Sequence, residues 1–274
     1  MSQPHLEDAG RSVKVGIIGG GNLGSALAEG FLKSGVLRAE EIFVSDPEEE
    51  KLRKLARLSL QVTTDNRRLV EECDVVFIAV KPDRVESVLR EVEDLSAGKL
   101  FVSVAAGVST KFIEARTRAR VIRAMPNICG SVLKMASAFS PGSRATKEDE
   151  EIVARLLGSL GTTAKVEERL MSAVTGISGS GPAFFFYLIK AVQEAGMELG
   201  LSREVAFKLA AQTARGAGEM ALTSEEQIDE LIRRVCTPRG TTIEGMKVLE
   251  ERKVADAIRE AIKAAARRAE ELSR

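Results

Sequence analysis

The chain has 274 residues, 44% of them hydrophobic, and its 40 basic side chains balance its 40 acidic ones. This length allows one large or two ordinary domains, and the balanced charge argues against nucleic acid or an anionic membrane as a partner. Cys73, Cys129 and Cys236 form no CxxC pair, and the only histidine is His5, which argues against a disulfide framework, a metal site and histidine acid–base chemistry. Because we find neither an apolar run near the roughly 20 residues of a spanning helix nor a signal peptide, we expect a cytoplasmic protein.

The first predicted elements are a strand, a tight turn and a helix, beginning at Val15 and reading VGIIGGGNLG. Gly19, Gly21 and Gly24 fit GxGxxG, in which the glycines permit the turn, the approach of a pyrophosphate and close helix packing. The next strand ends at Asp46, 22 residues after Gly24 and close to the usual offset of a ribose-binding acid. An ordinary βα turn is the alternative. We predict a dinucleotide cofactor.

Strand-like and helix-like segments alternate through residue 166, and the strand-like ones read VKVGIIG, EIFVSD, LSLQVTT, DVVFIAV, KLFVSVAA and RVIRAMP. Nearly continuous apolar strands are typical of a parallel sheet covered by helices on both faces. We therefore predict an α/β domain with a doubly wound parallel sheet over residues 1–166. Lys81-Pro82, Ala105 to Gly107 and Met125 to Asn127 each follow a strand; singly they are more typical of turns, but together they predict one cleft.

From residue 167 the strand signals stop, and the pattern predicts an all-α second domain over 167–274. Its segment AFFFYLIKAVQEAGMELG is apolar on too many sides for a one-faced surface helix. Burial against a partner subunit and burial inside its own domain both remain open. The last stretch, Val254 to Arg274, is predicted to be a charged amphipathic helix with a solvated face.

Two stretches of this second domain, AVTGISGSGPA (173–183) and VCTPRGTTIEGMKVLE (235–250), resemble pyrroline-5-carboxylate reductases, which complete proline biosynthesis. GIIGGGNLG, AVKP, AAGV and RAMPN follow the same family order, so the resemblance covers almost the whole chain. It implies a Rossmann domain followed by a helical dimerisation domain, in a homodimer or a higher oligomer built from dimers. It also implies hydride transfer from NADPH or NADH to the C=N bond of 1-pyrroline-5-carboxylate, giving L-proline.

The resemblance further implies the site residues. The amides of Gly240 and Thr241 are expected on the substrate carboxylate and the Thr242 hydroxyl on the ring nitrogen, at a helix N-terminus that suits an anion. Glu225 is the second catalytic candidate, with a solvated acid at a helix start as its alternative. Alone, TPRGTTIE is more typical of a loop and a capping box.

Ser178 and Ser180 complete the expected substrate contacts, and no metal is expected. The expected cofactor contacts are Gly19, Gly21, Asn22, Leu23, Gly24, Ser45, Asp46, Asn66, Ala79, Val80, Lys81, Pro82, Ala105, Ala106, Gly107 and Asn127.

The chain departs from the family pattern at Arg239, where a glycine is usual, at Ile128-Cys129 and at Phe184. If that glycine position has positive φ, Arg239 is slightly strained; it also adds a cation. A rival family, the β-hydroxyacid dehydrogenases, has the pattern GxxGxGxxxK. Aligned from Gly176, this chain matches the three glycines, but Phe185 stands where the lysine belongs. A non-catalytic nucleotide-binding protein is the second rival.

The choice between NADPH and NADH is left open by the turn after the second strand. Asp46 either accepts hydrogen bonds from an unmodified ribose and repels a 2′-phosphate, or caps the next helix. Ser45 supplies a hydroxyl, and Lys51 and Arg53 reach the turn only if the next helix points them back. We expect both cofactors to work.

Overall fold

One mixed sheet organises the computed structural model, which describes residues 7–8 and 11–273. Its strands are β1 (Val15–Ile18), β2 (Ile42–Ser45), β3 (Gln61–Thr63), β4 (Val75–Ile78), β5 (Leu100–Ser103), β6 (Arg120–Met125), β7 (Met135–Pro141) and β8 (Gly161–Lys165). Their spatial order is β8-β7-β6-β5-β4-β1-β2-β3. Glu7–Asp8 and Arg11–Ser12 form a separate antiparallel pair, and His5 lies outside the described residues.

The first six strands confirm the predicted parallel sheet, and the last two depart from it. Strand β7 runs antiparallel to β6, with Ile122 opposite Pro141, and β8 runs parallel to β7. The sequence analysis missed both strands because MASAFSP mixes small and polar residues and GTTAK is a polar, mostly exposed edge. The sheet is therefore mixed at one edge.

The helices begin and end at ordinary sequence signals. Pro82 opens one helix, Thr146 and Asp149 form a capping box at another, and Gly35 ends the first with a φ of 73°. In chain order they are α1 (Asn22–Ser34), α2 (Glu49–Ala56), α3 (Asn66–Glu72), α4 (Pro82–Glu91), α5 (Thr110–Glu114), α6 (Lys147–Gly158), α7 (Met171–Val174), α8 (Gly181–Glu198), α9 (Arg203–Thr223), α10 (Ile228–Val235), α11 (Thr241–Glu251) and α12 (Val254–Glu271).

Two apolar clusters cover the two faces of the sheet. Phe77 of β4 packs with Phe31 of α1, their ring centroids 5.5 Å apart, in a cluster that also contains Leu156 of α6. Phe101 of β5 belongs to the opposite cluster with Leu89 of α4. Successive strand residues point to opposite faces, so strands that are apolar throughout fill both clusters. This arrangement confirms the doubly wound interpretation.

The chain divides into two compact units. The first comprises the described residues up to Ser180 together with those from Lys263 onward, and the second is Gly181–Ile262. In the second unit α8 packs against α9, yet only Gly181, Ala206 and Ala210 are buried. The helices there do not enclose the apolar segment of α8, so the interpretation that its own domain buries it is wrong.

The helical run Glu168–Glu198 is long and apolar enough, by length and composition, to cross a membrane. The sequence analysis found no apolar run of that length, because charged and small residues interrupt it. Core helices of soluble proteins meet the same criterion.

Candidate active site

The glycine turn between β1 and α1 has the geometry that the sequence predicts. Gly19 has a φ of +111°, and a Cβ there would lie 2.6 Å from the carbonyl oxygen of Ala79. A Cβ on Gly24 would lie 1.9 Å from the carbonyl oxygen of Gly19. By contrast, a Cβ on Gly21 would meet nothing within 4 Å. Gly19 and Gly24 therefore permit the turn and the packing, while Gly21 faces open space.

The N-terminus of α1 faces that open space. Gly21 is its N-cap residue and offers no side-chain hydrogen bond, and the first turn, which contains Asn22 and Leu23, carries no acid. The first amides of a helix have no intrahelical acceptor and attract anions. A cleft of about 580 Å³ lies here, lined by residues that include Gly20, Gly21, Asn22, Ser25, Lys51 and Lys54.

The end of β2 ties the glycine turn to α2. The Asp46 carboxylate accepts the Gly20 N–H at 2.9 Å through Oδ2 and the Glu48 N–H at 2.9 Å through Oδ1. Its side chain is 7% exposed. Ser45 is fully buried, and its hydroxyl donates to Oδ1 of Asn66 at 2.7 Å. In this arrangement both carboxylate oxygens and the hydroxyl already have protein partners.

The ends of β4 and β5 lie beside the end of β1, at the same edge of the sheet. Ala79 donates its N–H to the carbonyl of Ile18, and Lys81 is the exposed N-cap residue of α4, directly before Pro82. Ala105 is buried, and Gly107 has a φ of +75°. The structure thus brings the expected cofactor residues of three strands, including Val80 and Ala106, to one edge.

Asn127, at the end of β6, has both ends of its side-chain amide engaged. Its Oδ1 accepts the Cys129 N–H at 3.0 Å, and its Nδ2 donates to the carbonyl of Ser178 at 3.0 Å. Ser178 belongs to a π-helical turn, Thr175–Gly179, which lies inside the run that the sequence marked as AVTGISGSGPA. Such turns are frequent at functional sites. The side chains of Ser178 and Ser180 are half-buried.

An ion pair between a buried arginine and a half-buried glutamate, which the sequence analysis missed, lies close to this edge. Arg123 of β6 is 5% exposed, and its Nη1 lies 3.4 Å from Oε1 of Glu168. The same carboxylate accepts the backbone N–H of Thr110 at 2.8 Å and its hydroxyl at 2.7 Å. The Nε and Nη2 atoms of Arg123 have no hydrogen-bond partner among the described residues. Glu168 therefore links β6 to the start of α5.

In the second unit, the TPRGTT loop leads into α11. Gly240 is the N-cap residue, without a side-chain hydrogen bond, and Thr241 and Thr242 open the helix. A Cβ on Gly240 would lie 2.5 Å from Oγ1 of Thr237, so only glycine fits. The capping box that was the alternative interpretation is absent, and the first amides of α11 have no intrahelical acceptor.

Arg239 in this loop has a φ of 62°, so the residue that replaces the usual glycine adopts a left-handed conformation. Such a conformation costs a non-glycine residue about 1–2 kcal/mol. Its side chain is exposed, and no hydrogen bond or ion pair involves it within the described part of the chain. The expected strain is therefore present.

Glu225 lies in the turn between α9 and α10. It is exposed and, among the residues that the structure describes, has no hydrogen-bond or ion-pair partner.

Burial disfavours the reactive thiolate form at two of the three cysteines. Burial raises the pKa of Cys73 to about 12, and burial also raises the pKa of Cys129. All three cysteines are free, and no group of metal-ligating side chains occurs within residues 7–8 and 11–273.

Comparison with known proteins finds two matching family models. One is described as pyrroline-5-carboxylate reductase dimerisation and matches residues 168–272. The other is described as NADP oxidoreductase, coenzyme F420-dependent, and matches residues 14–107.

Relatives match at nearly full length. Pyrroline-5-carboxylate reductase of Methanosarcina acetivorans is 42% identical over 265 residues, which is 95% of this chain and 98% of the relative. The enzyme of the same name from Pisum sativum is 36% identical over 98% of both chains. The structure of a pyrroline-5-carboxylate reductase from Coxiella burnetii superposes with a TM-score of 0.87 at 33% identity, covering 96% of this chain and 99% of that one. Pyrroline carboxylate reductase of Plasmodium falciparum with NADP bound gives a TM-score of 0.87 at 28% identity, covering 96% and 98%.

Proposed function

The chain belongs to the pyrroline-5-carboxylate reductase family, and from this premise we infer that it carries out the family reaction through the residues described above. It reduces 1-pyrroline-5-carboxylate to L-proline with NADPH or NADH, the last step of proline biosynthesis. The observation that carries this conclusion is a likeness of 42% identity spanning both the glycine turn and the TPRGTT loop.

The residues at the edge of the sheet fit a dinucleotide. Gly21 leaves open space in front of the α1 amides, and Gly19 and Gly24 fit where no side chain would. We propose that the α1 amides hold the pyrophosphate, and that the turns after β4 and β5 hold the nicotinamide half. The bound cofactor supplies the hydride. The turn after β5 consists of small residues, Ala105 to Gly107, and the backbone carbonyl of Leu272 packs where a Cβ on Gly107 would lie.

The proposed contacts to the substrate carboxylate and ring nitrogen come from the second unit. The first amides of α11 suit a carboxylate, since they have no acceptor within the helix and lie at its positive end. Thr242 is proposed to hydrogen-bond the ring nitrogen of the substrate, with the Thr241 amide on its carboxylate. The Gly240 amide, the other expected carboxylate contact, donates to the carbonyl of Thr237 at 2.9 Å in this structure. Ser178 and Ser180 are the further proposed contacts.

This chemistry requires no histidine. A cyclic imine protonates readily, so the protein's main task is to hold an electrophilic iminium in the correct orientation for hydride transfer. We propose that Glu225 stabilises the positive charge electrostatically, and none of the described residues pairs with its carboxylate.

The second unit is also proposed to form a homodimer, alone or as the repeating part of a larger oligomer. A groove of about 450 Å³ between α8 and α9 is lined by apolar side chains such as Phe185, Val192 and Leu209. These three are 63%, 59% and 56% exposed in the single chain. An exposed apolar surface of this kind is typical of a subunit interface. We keep the domain boundary at 166/167 and a cytoplasmic location as proposals.

The decisive experiment is an assay of NADPH and NADH oxidation by the purified protein with 1-pyrroline-5-carboxylate. We expect saturable oxidation with either cofactor and formation of one L-proline per cofactor oxidised. A control assay offers β-hydroxyacids with NADP+ or NAD+. No reduction of the cofactor is expected there, because Phe185 occupies the position of the lysine of β-hydroxyacid dehydrogenases. Cofactor binding without turnover would instead support a nucleotide-binding protein.

A further inference from the structure

Lys51 of α2 lies at the end of β2, where sheets of this type bind the adenosine ribose. Its Nζ lies 2.6 Å from Oε1 of Glu48 and 3.6 Å from Oδ1 of Asp46. The side chain is 39% exposed and lines the cleft beside the glycine turn. The hydrogen bond to Glu48 raises the pKa of Lys51, so its ammonium group is charged at neutral pH. The helix after β2 does point this cation back to the turn.

Asp46 itself is poorly placed to select an unmodified ribose. An acid with that role must present a free acceptor site to the ribose 2′-hydroxyl. Here the Gly20 and Glu48 amides occupy one oxygen each, and the side chain is almost completely buried. Lys51 also offsets part of its negative charge. The barrier that Asp46 presents to a 2′-phosphate is therefore lower than its sequence position indicates.

We propose that Lys51 binds the 2′-phosphate of NADPH and is the residue that allows this turn to accept NADPH beside Asp46. This inference rests on the proposed function, because it concerns the cofactor of that reaction. Glu48 competes with the phosphate for the same ammonium group. With NADH, Lys51 remains paired with Glu48; with NADPH, it turns to the phosphate.

The exchange of partners is physically favourable. Glu48 is 66% exposed, so water solvates its carboxylate when Lys51 leaves, and an exposed pair of this kind contributes little to stability. A phosphate group carries more charge than a carboxylate and offers three strong acceptor oxygens. Of the neighbouring cations, Arg53 is not among the residues that line the cleft. Lys54 pairs at 2.6 Å with Glu29, whose side chain is only 24% exposed and is therefore less readily solvated than that of Glu48.

The test compares kcat/KM for NADPH and NADH, with saturating 1-pyrroline-5-carboxylate, in the full-length protein and in four variants. Lys51→Met should lower kcat/KM for NADPH about tenfold or more and leave the NADH value within about twofold, since it removes one close opposite charge. Lys51→Arg should restore most of the loss. Glu48→Gln should raise the NADPH value by about twofold to fivefold, because the competitor loses its charge.

Arg53→Met is the matched control, because it removes one positive charge from the same helix at a side chain that is 67% exposed and paired elsewhere. In Arg53→Met the ratio of kcat/KM for NADPH to kcat/KM for NADH should stay within about twofold of the ratio in the unmodified protein. An unmoved ratio in Lys51→Met, or an equal shift in Arg53→Met, would overturn the proposal, the latter by showing that only overall charge matters.

Titration calorimetry with adenosine 2′,5′-bisphosphate and with adenosine 5′-monophosphate gives a readout that needs no turnover. Lys51→Met should raise the dissociation constant of the bisphosphate about tenfold and change that of the monophosphate little. If the unmodified protein turns over neither cofactor, the proposed function fails, and this titration still decides the role of Lys51.

Discussion

The two compact units differ in how far they bury phenylalanine side chains. In the first, Phe31, Phe77 and Phe101 are completely buried against the sheet. In the second, Phe185 and Phe186 are 63% and 57% exposed, although they stand in the apolar segment FFFYLI of α8. The first unit thus contains its own core, whereas the second carries the apolar surface of a core without the layer that would cover it. Apolar content alone does not distinguish a core from an interface.

The largest expected effect is on assembly, through the exposed apolar surface of the second unit. Phe185→Glu should give monomers or insoluble protein, because a dimer would bury an unpaired charge in the groove between α8 and α9. Sedimentation velocity measures the result. Leu58→Glu is the matched control, since Leu58 is an exposed apolar side chain of the first unit, at 39%, and its replacement should leave the assembly unchanged. A soluble, fully active dimer of Phe185→Glu would contradict the proposed interface.

The next prediction asks whether the second unit contributes chemistry as well as surface. Thr242→Ala should lower kcat/KM for 1-pyrroline-5-carboxylate by about tenfold to a thousandfold, the range for a lost transition-state hydrogen bond. The dissociation constant of the cofactor should change little. Thr241→Ala keeps its backbone amide and should have a much smaller effect. Unchanged turnover in Thr242→Ala would remove that hydroxyl from the mechanism.

A third prediction concerns the first unit, whose interior is not entirely apolar. Glu168→Gln should lower the free energy of unfolding by about 1–3 kcal/mol, because it removes the charge that faces buried Arg123 and weakens the acceptor for Thr110. Arg123→Met should cost less, since it also removes a guanidinium of which two nitrogens have no partner among the described residues. Urea denaturation at fixed protein concentration measures both. A larger loss in Arg123→Met would show that the buried cation stabilises the fold.

The smallest expected effect is at Asp46. Asp46→Ser should lower the free energy of unfolding by about 1 kcal/mol, the scale of a lost cap, because Gly20 and Glu48 lose their acceptor. It should move the NADPH to NADH ratio of kcat/KM by less than tenfold. A shift of tenfold or more toward NADPH would mean that Asp46 reads the ribose in spite of its two backbone partners.

Local pattern determined much of this protein. The glycine spacing predicted the turn and the dinucleotide cofactor, because each glycine answers a local steric demand that the structure confirms at Gly19 and Gly24. The apolar runs predicted six strands and a sheet covered on both faces. The ordered family segments predicted the reaction, which the relatives confirm. The assignments of individual catalytic and binding residues stay predictions.

Only the tertiary structure decided the features that depend on distant partners. Strands β7 and β8 carry too weak an alternation to be predicted, and their pairing is made by the neighbours in the sheet. The Asp46 carboxylate accepts the backbone N–H of Gly20, 26 residues away in sequence, and no local pattern shows that contact. Arg123 and Glu168 are 45 residues apart in sequence, and no local period links them. The sequence of α8 predicts an apolar surface. What packs against that surface depends on tertiary structure, because hydrophobic periodicity does not identify the partner.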